Sequence, residues 1–233
     1  MSRFSRRKPL AIELSRRSVH LGGAEAALAP ARPWSSQEEL RAALADAPRG
    51  APWRVLVGVA SARHFMVRPP VNARRLADLR AIAALRFEDL HGDSAADWLI
   101  EGDWDARRPF LCCAMPTALL RTLRDVAKQS GAGTPSVESA FCAAWNAAGA
   151  RSVDDADWVL HTGLDGTLLA AAEARRVRAI GDLDWRPGED EEALWQAAER
   201  LAMAWSLSPP AGLVLLGQGG GAPRRWTRAG GPA

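Results

Sequence analysis

Apolar and polar positions alternate with a period of two near the start of the chain. Residues 10–21, LAIELSRRSVHL, place an apolar strand before a polar turn and a second strand. The pattern recurs in the second half. There, residues 158–180, WVLHTGLDGTLLAAAEARRVRAI, give an apolar strand, a glycine-containing turn, a second strand, a short basic turn and a third strand. Two such hairpins predict an internal duplication. A turn of this kind facing a cleft is a place where backbone N–H groups hold phosphate.

The pattern between and after the hairpins predicts interleaved helices and strands. Ser36 stands three residues before Glu39, the spacing of a capping box, and opens a short helix through Leu40 and Leu44 that Gly50 and Pro52 close. Residues 53–60, WRVLVGVA, have the length and valine content of a strand buried on both faces. Residues 65–67 form another short strand, broken by Pro69 and Pro70. Asn72 is placed to cap a helix carrying Leu76, Leu79, Ala83, Phe87 and Leu90, closed by His91, Gly92 and Asp93. Residues 97–102 and 110–114 are strand-length runs. Pro116 opens a helix with the stripe Leu119, Leu120, Leu123 and Val126, ended by Gly131.

Residues 136–148, SVESAFCAAWNAA, are expected as one apolar helix with Val137, Phe141, Ala144 and Trp145 on one side. After the second hairpin, residues 185–188 make a turn. The acidic run Glu189, Asp190, Glu191 and Glu192 then complements the dipole of a helix through Leu194, Ala198, Leu201 and Trp205, which stops before Pro209. Residues 212–216 are one more buried strand, leading into the glycine loop Gly217, Gly219, Gly220 and Gly221. The final dozen residues carry no periodic apolar signal and are expected to be a tail.

Composition narrows the class. Apolar residues make up 48% of the 233 and charged residues 24%, which excludes a mostly disordered chain. The net charge of +3 is small and acidic residues are interspersed, so charge does not argue for nucleic acid; most of the ten Trp fall at apolar-face or strand positions and are expected to pack the core. The one dense basic cluster, Arg3, Arg6, Arg7 and Lys8, reads as a solvated tail, or else as a contact with an anionic membrane surface. No window holds the roughly 18 consecutive apolar residues of a membrane span, so a cytoplasmic location is expected. Cys112, Cys113 and Cys142 lack metal-ligand spacing and a disulfide framework, and read as buried reduced thiols with no metal.

Hairpin, helix, strand, a small α/β unit, a linking helix, a second hairpin, a helix and a strand ending in glycines: this order resembles the actin-like ATPase (ribonuclease H-like) fold. The likeness is closer to the PilM family of type IV pilus assembly and the cytoplasmic domain of the type II secretion GspL proteins. AIELSRRSVHL stands where the family has its first phosphate hairpin. VLVGVASARHFMVR, DWLIEG and FLCCAMPTALLRTLRDVAKQSG resemble its inserted subdomain, VESAFCAAWNA its linking helix, and WVLHTGLDGTLLAAAEARRVRAIG its second phosphate hairpin. The implied organisation is α/β: a flexible basic tail at 1–9, a first half-domain at 10–62, an inserted small subdomain at 63–134, the linking helix and second half-domain at 135–221, and a tail at 222–233. The absence of room for a further insertion looks more like GspL, and a GspL chain would continue into a transmembrane helix.

The resemblance also implies a nucleotide site, and the residues depart from it. Glu13 takes the position of the family's Asp and Ser15 that of its Gly, followed by bulky Arg16 and Arg17. In the second hairpin His161 replaces the Asp, Gly163 is kept, and Asp165 lies two residues on. Imidazole suits Mg²⁺ poorly, so His161 is expected to be a partly buried strand residue with a backbone partner. Gly217, Gly219 and Gly220 stand where the family contacts adenosine. A vestigial site of Glu13, Ser15, Gly163, Asp165 and these glycines, with hydrolysis lost, is the expectation.

The implied function is that of a scaffold at the cytoplasmic face of an inner-membrane assembly platform. Its implied partners are a PilN-like or GspM-like bitopic membrane protein and the assembly ATPase, and a homodimer is allowed. The helix over residues 74–90 and the strands near Phe65 and Leu99 are candidates for docking, with Leu76, Leu79 and Phe87 expected to serve the subdomain's own core. The alternative is an active ATPase or sugar-kinase-like enzyme using ATP with Mg²⁺. Glu138 on the linking helix or Asp165 would then be the base.

Overall fold

Both hairpins form, and each begins a five-stranded sheet. The computed structural model describes residues 9–23, 31–148, 158–216 and 224–228. In the first half, β1 (Leu10–Leu14) pairs antiparallel with β2 (Ser18–Gly23), and β2 with the short β3 (Arg32–Pro33). On its other side β1 runs parallel to β4 (Trp53–Val57), which runs parallel to β8 (Ser136–Ser139), giving the order β3-β2-β1-β4-β8. In the second half, β9 (Trp158–Thr162), β10 (Thr167–Glu173) and β11 (Arg176–Leu183) make an antiparallel meander. There β12 (Gly212–Leu216) lies parallel to β9 and antiparallel to β13 (Arg224–Thr227), and the order is β11-β10-β9-β12-β13. The first four positions of the two sheets correspond one for one, so the predicted duplication is present in topology.

The two sheets bury their faces differently. In β1 and β4 burial alternates: Ile12, Leu14, Val55 and Val57 face a core closed by α1 (Gln37–Leu44) and α3 (Thr117–Gln129), while Arg54 is exposed and Leu56 half-buried. The expected strand over residues 53–60, buried on both faces, is therefore shorter and one-sided; from Val59 the chain turns into a 3-10 helix, Val59–Ser61. The second sheet is covered twice. Val159, Leu168 and Ala170 pack on Phe141 and Ala144 of α4 (Ala140–Ala148), and Leu160, Leu169 and Ala171 pack on Leu194 and Trp195 of α5 (Glu191–Ala204). A sheet sandwiched between helices explains the near-continuous apolar run of β9 and β10.

The inserted unit is a three-stranded sheet, β5 (Arg63–Val67), β7 (Phe110–Pro116) and β6 (Trp98–Gly102), with α2 (Leu76–His91) on one face. Phe65, Phe87, Phe110 and Cys112 form its core. Gly92 ends α2 in the left-handed region at φ 72°, as predicted for a glycine stop. The start differs: the helix begins after Arg75, and Asp78 accepts the Arg75 N–H at 3.2 Å, so Asn72 is not the cap. Leu79 and Phe87 are core residues as expected, whereas Leu76 is 46% exposed and so is not one.

Three further expectations are corrected. Residues 136–139 are strand β8, not helix, because hydrogen bonding to β4 outweighs a weak helical pattern, and the helix starts only at Ala140. The second arm of the Ser36–Glu39 box lands one residue early: Glu39 accepts from the Ser35 N–H at 2.6 Å, while Ser36 Oγ accepts from Glu39 N as predicted. The C-terminal stretch expected as a tail contains β13 (Arg224–Thr227), antiparallel to β12. Trp226 donates to Glu191 at 3.0 Å and meets the Trp185 ring edge-on, and Arg228 pairs with Glu192 and Glu199 at 2.7 Å each. These contacts are long-range and leave no periodic trace in four residues. Among the described residues, no helix is long and apolar enough to cross a membrane.

Candidate functional site

The turn of the first hairpin is closed by its own serine. Ser15 Oγ accepts from the Ser18 N–H at 2.9 Å and the Arg17 N–H at 3.2 Å, and lies 2.7 Å from Ser18 Oγ. Ser15 N donates to Ser18 O at 2.8 Å. A serine hydroxyl satisfying the N–H groups two and three residues on is an ordinary way to fix a turn. Trp34 braces the turn from outside, with Nε1 donating to Ser15 O at 3.1 Å. Ser15 is thus 4% exposed, and its side chain is committed within the turn.

The turn of the second hairpin reaches across to the first. Gly163 N donates to Gly166 O at 2.8 Å, and both glycines lie against Val59, which leaves little room for a side chain at either position. Between them Asp165 projects over the first half. Its Oδ2 accepts the backbone N–H of Arg16 at 2.7 Å and its Oδ1 that of Ala60 at 3.2 Å. Gly58 makes the approach possible: a Cβ there would stand 2.5 Å from Asp165 Oδ1 and 2.8 Å from Oδ2. Gly58 N is itself bonded to Leu14 O at 2.7 Å, so the segment after β4 is fixed to the first hairpin. Turn β1–β2, the turn after β4 and turn β9–β10 therefore converge on one carboxylate, held by two backbone donors as an anion is held.

The remaining site residues are distributed around this point. Glu13 lies opposite His20 in the β1–β2 ladder; half-burial pushes its carboxyl pKa above the ordinary value, and His20 pulls the other way. His161 lies in β9 between Leu168 and Leu216 and is 1% exposed, against the Phe141 ring at 6.0 Å. It is more deeply buried than expected, and neither ring nitrogen makes a hydrogen bond of full geometry, although the Leu216 backbone still favours the protonated ring. Burial holds its pKa down at about 4, reinforced by His64, so the ring is neutral. Glu138 stands on strand β8, not on a helix, and pairs with Arg54 at 3.5 Å. Gly217, Gly219, Gly220 and Gly221 lie outside the described residues, as does the basic stretch at residues 1–8.

Sequence reading missed Gly58 and Trp34. The signal for Gly58 was present, since a lone glycine in the valine-rich run marks a close backbone approach. Nothing local marks Trp34. An open cleft of about 630 Å³ also went unread. It lies between the β6–β7 loop, α4 and the β10–β11 turn, where Trp104, Asp105, Cys142, Trp145, Arg175 and Arg176 line it. Asp105 spans part of it, paired to Arg176 at 2.9 Å and Arg108 at 3.0 Å.

No protein-family model matches the chain, and no curated protein matches it. Solved structures do. A Bacteroides thetaiotaomicron protein with an actin-like ATPase fold aligns over 89% of this chain and 81% of its own, with a TM-score of 0.57 and 9% identity. The cytoplasmic domain of EpsL, an inner-membrane component of the Vibrio cholerae type II secretion system, aligns over 76% of this chain and 72% of its own at a TM-score of 0.49 and 15% identity. The PilM–PilN type IV pilus biogenesis complex aligns over 87% and 67% at 0.49 and 14%. At 9% identity the Bacteroides likeness speaks to the fold alone, and the chain has the actin-like ATPase fold.

Proposed function

We propose that this chain is a scaffold subunit of a type IV pilus or type II secretion assembly platform, working without nucleotide hydrolysis. It sits at the cytoplasmic face of the inner membrane by docking a short segment of a bitopic membrane protein and by contacting the assembly ATPase. The observation that carries the loss of hydrolysis is the Asp165 carboxylate on the Arg16 and Ala60 N–H groups. In this fold phosphates need backbone donors turned into the cleft. Here two of them already hold an anion, and a phosphate approaching them meets like charge. Ser15 is committed to its own turn and Glu13 is disfavoured as a carboxylate by burial, so the residues present do not fit Mg·ATP. The platform assignment rests on the sequence resemblance to PilM and GspL proteins. The inserted subdomain supports a docking role by leaving Val71, Leu76, Leu85, Leu90 and Leu99 at its surface, more apolar exposure than its own packing requires.

Two measurements on the full chain test this. Calorimetry with Mg·ATP should show no binding heat, and phosphate release should not exceed the buffer rate. Turnover abolished by Glu13→Ala sinks the reading. For docking, a synthetic peptide of the cytoplasmic segment of a PilN-like bitopic protein should bind the wild type, and Leu85→Glu with Leu99→Glu should weaken it about tenfold or more. Binding untouched by changes in the inserted subdomain would remove that surface from the proposal.

A further inference from the structure

Where the inserted sheet meets α4, three soft or nitrogenous ligands come together. His64 on β5 and Cys113 on β7 are direct cross-strand partners, which brings their side chains side by side on one face of the inserted sheet. Cys142 comes to them from the first turn of α4. One ligand atom from each of His64, Cys113 and Cys142 lies within 4.8 Å of the others. All three are half-buried, and Cys142 also lines the 630 Å³ cleft. Cys112, the neighbour of Cys113 in sequence, faces the opposite way into the core of the inserted unit. Of the three thiols expected to be buried and reduced, all are free of disulfides, and only Cys112 is fully buried.

The surroundings are those of a prepared ligand set. Ser139 Oγ is 2.8 Å from His64 Nε2 and accepts the Cys142 N–H at 3.0 Å, so one hydroxyl orients two of the three ligands. His64 Nδ1 is buried and has no hydrogen-bond partner. Two cysteine sulfurs and an imidazole are the donors that Zn²⁺ takes in tetrahedral sites, where hard cations such as Mg²⁺ are poorly served.

We infer that His64, Cys113 and Cys142 form a zinc site, with a water from the adjoining cleft as fourth ligand. The site joins β5 and β7 of the inserted unit to α4, the element that leads from the first half into the second. Bound zinc thereby fixes the orientation of the inserted unit on the body of the protein. Ser139 is a positioning residue of this site, because it holds His64 and Cys142 in place from outside.

The test uses the full chain, kept reduced, stripped with a chelator and titrated with Co²⁺ as a spectroscopic probe. One Co²⁺ per chain is expected, with thiolate-to-cobalt charge transfer in the near ultraviolet and the visible bands of tetrahedral cobalt, both bleached by one equivalent of Zn²⁺. Cys142→Ser, Cys113→Ser and His64→Ala should each weaken binding roughly a hundredfold or more, and Ser139→Ala about tenfold to a hundredfold. Cys112→Ala should leave the titration unchanged. Octahedral cobalt without charge transfer, a titration unaltered by Cys142→Ser, or a Cys113–Cys142 disulfide recovered under reducing conditions would each overturn the site. Should the ligand variants fail to fold, alkylation of the wild type read by mass spectrometry decides. Zinc should protect Cys113 and Cys142, and equal labelling with and without zinc counts against the proposal.

Discussion

The Asp165 carboxylate lies 2.7 Å from the backbone nitrogen of Arg16, a residue 149 positions earlier in the chain. This bond and its companion to Ala60 N join the second hairpin to the first half across the cleft between the sheets. Removing the carboxylate leaves two N–H groups without their acceptor. Asp165→Ala is therefore expected to cost about 1–3 kcal/mol, the range for a charged hydrogen-bonding group. Chemical denaturation would measure it as a lower midpoint at unchanged slope.

Gly58 supplies an independent check on the same contact. A Cβ at this position meets the Asp165 oxygens at 2.5 and 2.8 Å, so Gly58→Ala is expected to destabilise by about 1–3 kcal/mol by forcing the carboxylate away. In an Asp165→Ala background that overlap is gone, and the glycine change should cost far less. A double-mutant cycle by equilibrium unfolding reads the difference as coupling; strict additivity would show that the two residues do not share this contact.

His161 gives the protein an acid-sensitive core. Its folded pKa of about 4 lies below the ordinary histidine value of 6.5, so the unfolded chain binds the proton more readily. The contribution is complete above pH 6.5 and is lost as pH falls toward about 4, amounting to about 3 kcal/mol at most. Because neither ring nitrogen makes a hydrogen bond of full geometry, His161→Leu should be near neutral at pH 7 and should stabilise the metal-free protein at pH 5. Unfolding profiles of the two proteins across this window should diverge with falling pH.

The three cysteines should differ in reactivity. Burial pushes the Cys112 thiol up to about 12, whereas the Cys113 thiol, with His64 and Ser139, draws the Cys142 thiol well below the ordinary cysteine value. In the metal-free protein at pH 6, iodoacetamide should modify Cys142 first and leave Cys112 untouched until unfolding. Cys113→Ala removes the largest cause of the Cys142 shift, and its rate profile should move to higher pH. Peptide mass mapping at several pH values would show both effects.

Trp226 tests whether the C-terminal strand matters to the fold. Its indole packs on Trp185 and donates to Glu191, so Trp226→Ala is expected to cost about 1–3 kcal/mol and lower the thermal midpoint by several degrees. A midpoint equal to that of the wild type would reduce β13 to an ornament of the sheet edge.

Much of this was legible in the residues because it depends on local period. The two hairpins, the helix stripe Leu119–Leu120–Leu123–Val126, the glycine stop at Gly92 and the duplicated order of elements all follow from alternation, helical spacing and turn chemistry. Residues 136–139 were misread because a strand at a sheet edge is decided by its partner: β4 supplies the hydrogen bonds, and four residues of mixed polarity contain no record of that. Residues 224–227 were missed for the same reason.

The sequence alone determined the architecture of two related halves with an inserted unit, and it set Glu13, Ser15 and His161 apart from the hairpin pattern that the resemblance implies. Tertiary structure decided where the two hairpin turns meet. Asp165 reads as an ordinary turn residue until the second half is laid on the first, when its carboxylate reaches Arg16 and Ala60 over the bare Cα of Gly58. Cys113, Cys142 and His64 likewise belong to separate elements with no shared spacing, and only a cross-strand register and the start of α4 bring their ligand atoms within 4.8 Å. Period is a property of neighbours along the chain, whereas a site is a property of neighbours in space, and the packing of sheets and helices sets the second.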